Sequence, residues 1–229
     1  MSEAQIARGM ARQLARRDAA VAGGATPRGW KVAFSTPAAQ AAARVDQPLV
    51  SGLTDATELP SGATIEVGRW VKPMLEAELT IHVGAGVAPG GTVQDARDAI
   101  AAVGAAIEVV DLDRPFDDLE DIVAEGLFHR HYVLGAFDPA RAGGDARGVT
   151  VTAALDGTPY GSQPDPCAII GDLGDVTRFV ADELGRRGAR LEAGHVILAG
   201  SALPLEPVRL GQLLRVDAGP LGGLELQFA

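Results

Sequence analysis

Three glutamates carry the sharpest chemical signal in the chain. Glu76 and Glu78 stand in Lys72-Pro73-Met74-Leu75-Glu76-Ala77-Glu78-Leu79-Thr80-Ile81-His82-Val83, and Glu108 stands in Ile107-Glu108-Val109-Val110. On a strand, residues two apart point to the same side, so Glu76 and Glu78 present two carboxylates from one face while Leu75, Ala77 and Leu79 face the other way. Like charges at that spacing repel unless something neutralises them. A hard divalent cation does this well, because Mg²⁺ takes oxygen ligands at ~2.0–2.1 Å and keeps waters that a substrate can displace. Glu108 lies inside an apolar run, where burial without a partner is costly, and it is the natural third ligand. The same spacing also fits a second arrangement, in which Glu76 and Glu78 lie on the solvated face of an edge strand and Glu108 pairs with an arginine.

Other residues offer weaker chemistry. Lys31, in Gly29-Trp30-Lys31-Val32-Ala33-Phe34, is either a cation beside a substrate carboxylate or the exposed position of an alternating strand. His129 and His131 share a side if Phe128-His129-Arg130-His131 is extended, which suits acid–base work or metal binding. With no third nitrogen or sulfur ligand nearby, zinc is a poor fit. Ser201 sits in the small-residue turn Ala199-Gly200-Ser201-Ala202, and no G-x-S-x-G elbow accompanies it. Gly84-Ala85-Gly86 lacks the spacing of a phosphate loop. Cys167 is the single cysteine, read as a small core or loop residue, so no intramolecular disulfide is expected and a reducing compartment is compatible.

Strands must position these groups. From Trp30 onward the chain shows short apolar runs bounded by Gly, Pro and Asp. The runs Trp30–Phe34, Glu76–Val83, Ile107–Val110, Thr150–Leu155, Leu213–Ala218 and Gly223–Phe228 read as strands. Ile6, Met10 and Leu14 recur every four residues, predicting an amphipathic helix over 3–17 that ends before Gly23, Gly24 and Pro27. Two further helices are expected, Thr92–Val103 and Val176–Arg187, and Pro139–Gly144 reads as a turn-like joint. Strands outnumber helices without a regular βαβ alternation, so the expected class is α+β with a mixed, largely antiparallel sheet core and a few flanking helices.

Length and composition bound the function. A chain of 229 residues, 47% hydrophobic, can bury a sizeable core, and we read residues 1–229 as a single domain with an N-terminal helix and linker over 1–27. A formal net charge of −10 argues against a nucleic-acid surface, which needs clustered Lys and Arg. The first 17 residues carry arginines but no apolar run of signal-peptide length, and no stretch approaches the ~18 apolar residues of a membrane span. The expected location is the cytoplasm.

Taken in order, several stretches resemble the 2-keto-4-pentenoate hydratase family within the fumarylacetoacetate hydrolase-like superfamily. They are Gly29-Trp30-Lys31-Val32, Val45-Asp46-Gln47-Pro48 followed by Gly52-Leu53, Pro73-Met74-Leu75-Glu76-Ala77-Glu78, Ile107-Glu108-Val109-Val110 and Gly194-His195-Val196-Ile197-Leu198-Ala199-Gly200-Ser201. The resemblance covers roughly residues 28–229 and implies the β-roll type of core over that range. It further implies Mg²⁺ or Mn²⁺ on Glu76, Glu78 and Glu108, chelation of a 2-oxo acid, and a metal-stabilised enolate. Lys31 matches a lysine near the substrate carboxylate, and Ser201 a substrate-facing hydroxyl. The implied reaction is that of a lyase of hydratase or decarboxylase type, met in aromatic-compound catabolism. The alternatives are C–C hydrolysis of acylpyruvates, or a non-catalytic paralogue serving as a partner subunit or small-molecule binding module. Self-association as a homo-oligomer is also implied.

The chain departs from the family pattern in places. Where relatives typically read Ala-Asp-Asn-Ala-Ser, it has Ala124-Glu125-Gly126-Leu127-Phe128, and Gly161-Ser162-Gln163-Pro164-Asp165-Pro166 differs from a Gly-rich stretch before a Leu-Gly-x-Pro turn. The region before Lys31 is some tens of residues shorter than in typical hydratases. Glu125 or His129 is the expected proton-transfer group.

Overall fold

The computed structural model describes residues 2–229. The first half of the chain runs α1 (Glu3–Ala22), β1 (Pro27–Ala33), α2 (Pro37–Ala43), β2 (Leu49–Thr54), β3 (Glu58–Leu59), β4 (Thr64–Ile65), β5 (Pro73–Val83), α3 (Val93–Asp98) and β6 (Ile100–Asp111). The second half runs α4 (Leu119–Ala124), β7 (His129–Asp138), β8 (Val151–Leu155), β9 (Thr158–Gln163), α5 (Cys167–Ile170), α6 (Leu173–Arg186), β10 (Val196–Ser201), β11 (Glu206–Pro207), β12 (Leu213–Asp217) and β13 (Gly223–Phe228).

The strands form two sheets. The larger has the order β2-β1-β10-β5-β6-β7-β3, with β11 paired to the start of β5, and the smaller has the order β4-β13-β12-β8-β9. Most pairings are antiparallel; β1 with β10, β3 with β7 and β4 with β13 are parallel. The fold is therefore α+β with a mixed, largely antiparallel core. The long strands β5 and β6 are buried almost throughout, and β6 is apolar but for Glu108 and Asp111, as expected for strands covered on both faces. Residues of both sheets, among them Leu75, Ile107, Val151 and Leu226, belong to one buried cluster.

One pairing depends on a glycine. At Gly29, φ is +143° and a β-carbon would lie 2.0 Å from the Val196 carbonyl oxygen, so only glycine lets β1 approach β10 here. Two residues later on β1 comes Lys31.

The helix expected over Thr92–Val103 is corrected by the structure. Thr92 caps it in a reciprocal box with Asp95, but α3 ends at Asp98 and Ile100 already begins β6. The run Ile100–Ala106 is apolar in every position, a pattern that suits a doubly buried strand as well as a helix, and pairing with β5 and β7 decides between them. Helix α1 exceeds its expected end at residue 17 and stops at Ala22 with Gly23 as its cap. It packs on α4, where Gly9 allows close approach: a β-carbon there would lie 2.7 Å from the Glu120 carbonyl oxygen. Gln13, buried, donates from Nε2 to the Val123 carbonyl at 2.7 Å and accepts from the Gly52 N–H at 3.1 Å, which ties α1 to both α4 and β2. Among the described residues, no helix is long and apolar enough to cross a membrane.

Candidate active site

Strand β5 lies in the middle of the larger sheet, between β10 and β6, so the reading of Glu76 and Glu78 as edge-strand residues does not hold. Its register sets Glu76 directly opposite Glu108 on β6, and Glu78 opposite Ala106. One carboxylate oxygen from each of Glu76, Glu78 and Glu108 lies within 4.8 Å of the others. Glu78 and Glu108 are buried, and Glu76 is half-buried at the edge of a cavity.

Each carboxylate is held differently. Glu108 pairs not with an arginine but with Lys31, whose Nζ lies 2.8 Å from Oε1, and with His129, whose Nδ1 lies 2.7 Å from the same oxygen. Glu78 accepts at Oε2 from the Gly200 N–H at 2.8 Å. That donor is aimed by an irregularity in the β10–β5 register between Leu198 and Ser201, where Gly200 adopts φ +107°. A β-carbon at Gly200 would lie 2.6 Å from the Ser35 hydroxyl.

The remaining oxygens decide what the cluster can hold. Glu78 Oε1 and Glu108 Oε2 are buried and have no hydrogen-bond partner. Burying such atoms unsatisfied is expensive, and a hard cation satisfies both at once, so the donor set fits a divalent ion with oxygen ligands. Without a cation the protons must do the same work. Burial, then the nearby Glu108, pushes the Glu76 carboxyl up to about 8, and Glu78 is raised well above the ordinary range by burial and then by Glu108 and Glu76. Burial also acts to raise Glu108, but the Lys31 ammonium and the His129 contact outweigh it and hold that group below its ordinary value.

The cluster opens into a cavity of about 820 Å³. Lys31, Glu76 and Ser201 line it at the cluster, and Phe34, Phe116 and Phe128 line it further out. These three rings stack edge to face, with centroids 5.8 Å apart for Phe34–Phe116 and 5.6 Å for Phe116–Phe128. Lys31 is only 2% exposed and donates to the Leu127 carbonyl at 2.9 Å as well as to Glu108. The carbonyl is presented by an unusual backbone: Gly126, Leu127 and Phe128 have φ of +94°, +57° and +65°. Two non-glycine residues in succession in the left-handed region store strain, which the burial of both side chains must offset.

Neither expected proton-transfer residue lines the cavity. Glu125 caps the end of α4 and pairs with Arg114 at 2.7 Å; it does not line the cavity. His129 has both ring nitrogens engaged, Nδ1 with Glu108 and Nε2 with the Thr57 hydroxyl at 3.0 Å. Its place is behind Glu108, and with the proton on Nδ1 it donates to that carboxylate. His131 stacks on Trp70, ring centroids 6.0 Å apart, away from the cluster. Ser201 lines the cavity and donates its hydroxyl hydrogen to the Leu203 carbonyl at 2.7 Å, so it faces the cavity as an acceptor.

Several contributors gave no signal in the sequence. The Gly200 N–H, the Leu127 carbonyl and the Thr57 hydroxyl act through backbone or through contacts distant in sequence. Tyr160 on β9 also lines the cavity, with a buried hydroxyl that has no partner. Burial, then Glu206, raises its pKa, so it stands as a neutral phenol.

Residues 26–229 match the family described as fumarylacetoacetate (FAA) hydrolase, C-terminal. The chain belongs to that family. Among curated relatives of this fumarylacetoacetate hydrolase-like chain, a 2-keto-4-pentenoate hydratase of Burkholderia vietnamiensis is 28% identical over 207 residues, covering 87% of this chain and 77% of the relative. A 4-oxalocrotonate decarboxylase of a Pseudomonas species is also 28% identical, covering 88% and 78%. In solved structures, the 4-oxalocrotonate decarboxylase from Pseudomonas putida G7, complexed with magnesium and adipate, superimposes with a TM-score of 0.85 at 25% identity, over 95% of this chain and 83% of that one.

Proposed function

We propose that this chain is a divalent-metal-dependent lyase of the hydratase or decarboxylase type, acting on a small 2-oxo or 2-hydroxydienoic acid. The observation that carries this reading is the convergence of Glu76, Glu78 and Glu108, with two buried oxygens lacking partners, beside Lys31 at the floor of a largely apolar cavity. Its relatives named as hydratases and decarboxylases support the same reaction class.

Glu76, Glu78 and Glu108 would hold Mg²⁺ or Mn²⁺, which when bound supplies Lewis-acid stabilisation of negative charge developing on a substrate oxygen. The protein's own groups do the rest. Lys31 spends two of its three N–H donors on Glu108 and Leu127, which leaves the third for a substrate carboxylate at the cavity floor. Ser201 accepts a hydrogen bond from a substrate hydroxyl or an attacking water. His129 orients Glu108 and fixes its charge, a positioning role. The Tyr160 hydroxyl is a free neutral donor in the wall and can bond a substrate oxygen. The phenylalanines exclude bulk water from the reacting carbons.

We also read residues 1–229 as one domain, since both sheets contribute to one core, and the protein as a cytoplasmic homo-oligomer. Incubation of the Mg²⁺-loaded protein with 2-hydroxypenta-2,4-dienoate and with 4-oxalocrotonate, followed by product analysis, tests the reaction. Metal-dependent formation of a hydrated or decarboxylated 2-oxo acid is expected. Acylpyruvate cleavage with neither of these activities would move the assignment to a hydrolase.

A further inference from the structure

We infer that the substrate of this site carries a single carboxylate and an uncharged apolar tail, alkyl or aryl, and is not a 2-oxo diacid. This rests on the function proposed above, adds to it the character of the substrate's far end, and selects its hydratase arm, because the decarboxylase substrate 4-oxalocrotonate is itself a 2-oxo diacid.

The lining of the cavity changes in one direction. Its charged groups, Lys31 and Glu76, both stand at the glutamate cluster, and among the described residues Lys31 is the only cation in the lining. Lys31 is already committed to Glu108 and Leu127, so its one free donor serves the carboxylate next to the 2-oxo group. Beyond that point the wall is made by Phe34, Phe116 and Phe128 on one part and by Ala38, Ala39 and Ala42 of α2 on another. The alanines leave room, and the rings offer edges and faces to a hydrophobic group. At the outer rim, Ile169 and Leu205 line the same cavity while remaining 41% and 40% exposed, so apolar surface continues to the solvent.

Among the described residues that line the cavity, a second carboxylate finds no counter-charge along this path. The uncharged polar groups of the wall, Ser35, Thr36, Tyr160, Ser162 and Gln163, can hydrogen-bond a carboxylate but cannot neutralise it. The Glu206 carboxylate stands near enough to Tyr160 to raise its phenol further, and it adds negative potential on that side. The size points the same way. A cavity of about 820 Å³ lies in the upper part of the range that encloses drug-sized ligands, so a short acid would leave most of it to water and a bulky tail would fill it.

The test is calorimetric binding to the full-length, Mg²⁺-loaded protein, using four probes with the same 2-oxo acid head. Pyruvate reports the head alone, 2-oxoadipate adds a charged tail, 2-oxo-6-methylheptanoate is its uncharged isostere, and 2-oxo-4-phenylbutanoate adds an aryl tail. The two apolar probes are expected to bind roughly tenfold or more tightly than 2-oxoadipate, because desolvating a carboxylate with no counter-charge costs more than burying an alkyl or aryl group. Ala39→Arg, which sets a cation in the wall, is expected to narrow or reverse that ratio; if the variant does not fold, the wild-type ratio decides alone. Binding of 2-oxoadipate as tight as its isostere, with Mg²⁺-dependent binding of pyruvate intact, would overturn the inference and leave the proposed function standing. Absence of Mg²⁺-dependent binding for all four probes would overturn both.

Discussion

Glu76 on β5 and Glu108 on β6 stand directly opposite each other in an antiparallel register, with Lys31 and His129 both on Glu108 and neither on Glu76. Like charges directly opposite one another destabilise a sheet, so this pair is asymmetric by construction. Glu108 is held as the anion by its two partners, while Glu76 faces the cavity and depends on a proton or a cation.

That asymmetry predicts how the metal-free protein responds to pH. The Glu76 carboxyl is pushed up to about 8 from its ordinary 4.5, so between these values the folded state binds a proton that the unfolded chain has lost. The stability from this group is fully present below pH 4.5 and falls as pH rises through 8, and Glu78 acts in the same direction. Glu108, held low, loses its contribution only at pH values below the ordinary range and does not cancel this trend. Thermal unfolding of chelator-treated protein from pH 5 to 9 should show a falling Tm, and saturating Mg²⁺ should restore most at the alkaline end, where the ligands are already deprotonated. A Tm that is flat or rising over this range in the absence of metal would contradict raised carboxyl groups at Glu76 and Glu78.

His129 is predicted to act through Glu108. Replacing it with alanine removes the Nδ1 contact and frees the Thr57 hydroxyl, and metal affinity should drop by about 10–100-fold, as for other residues that hold a ligand. Calorimetry with Mn²⁺ reads this directly, and His129→Asn, which keeps an N–H donor, should recover part of the loss. If His129→Ala lowers turnover at saturating metal with no change in metal affinity, the histidine has a direct role in proton transfer.

Gly200 is predicted to tolerate no side chain. Its φ of +107° and the 2.6 Å approach of the Ser35 hydroxyl to a β-carbon both oppose Gly200→Ala. Strain of this kind costs on the order of 1–3 kcal/mol, and movement of the N–H away from Glu78 should weaken metal binding as well. Denaturant unfolding and metal titration of the variant should both shift; a neutral result in both would show that the turn relaxes freely.

The parts of this arrangement that the sequence revealed are those written in side chains at short range. The period of two in Glu76-Ala77-Glu78 and the lone acid in Ile107-Glu108-Val109 marked the carboxylates, and the β5–β6 register brings them together. The run after Asp98 stayed ambiguous because every residue from Ile100 to Ala106 is apolar, and only pairing on both sides makes it a strand. Glu125 stands in sequence where the family pattern has Asp, yet its neighbour in space is Arg114, set by the end of α4. The backbone donors and acceptors at Gly200 and Leu127 have no side-chain signature. The two stretches that depart from the family pattern do have a shared location: one supplies Leu127 and Phe128 to the cavity wall, and the other Gly161, Ser162 and Gln163.

The most direct test of the metal centre is a calorimetric titration of chelator-treated protein with Mg²⁺ and Mn²⁺, with and without oxalate as a chelating acid, comparing wild type with Glu76→Ala. Binding that tightens in the presence of oxalate and is lost in the folded variant is the predicted result. A well-folded wild type that binds neither ion, or a Glu76→Ala variant that binds both as wild type does, would contradict a cation site built on Glu76, Glu78 and Glu108.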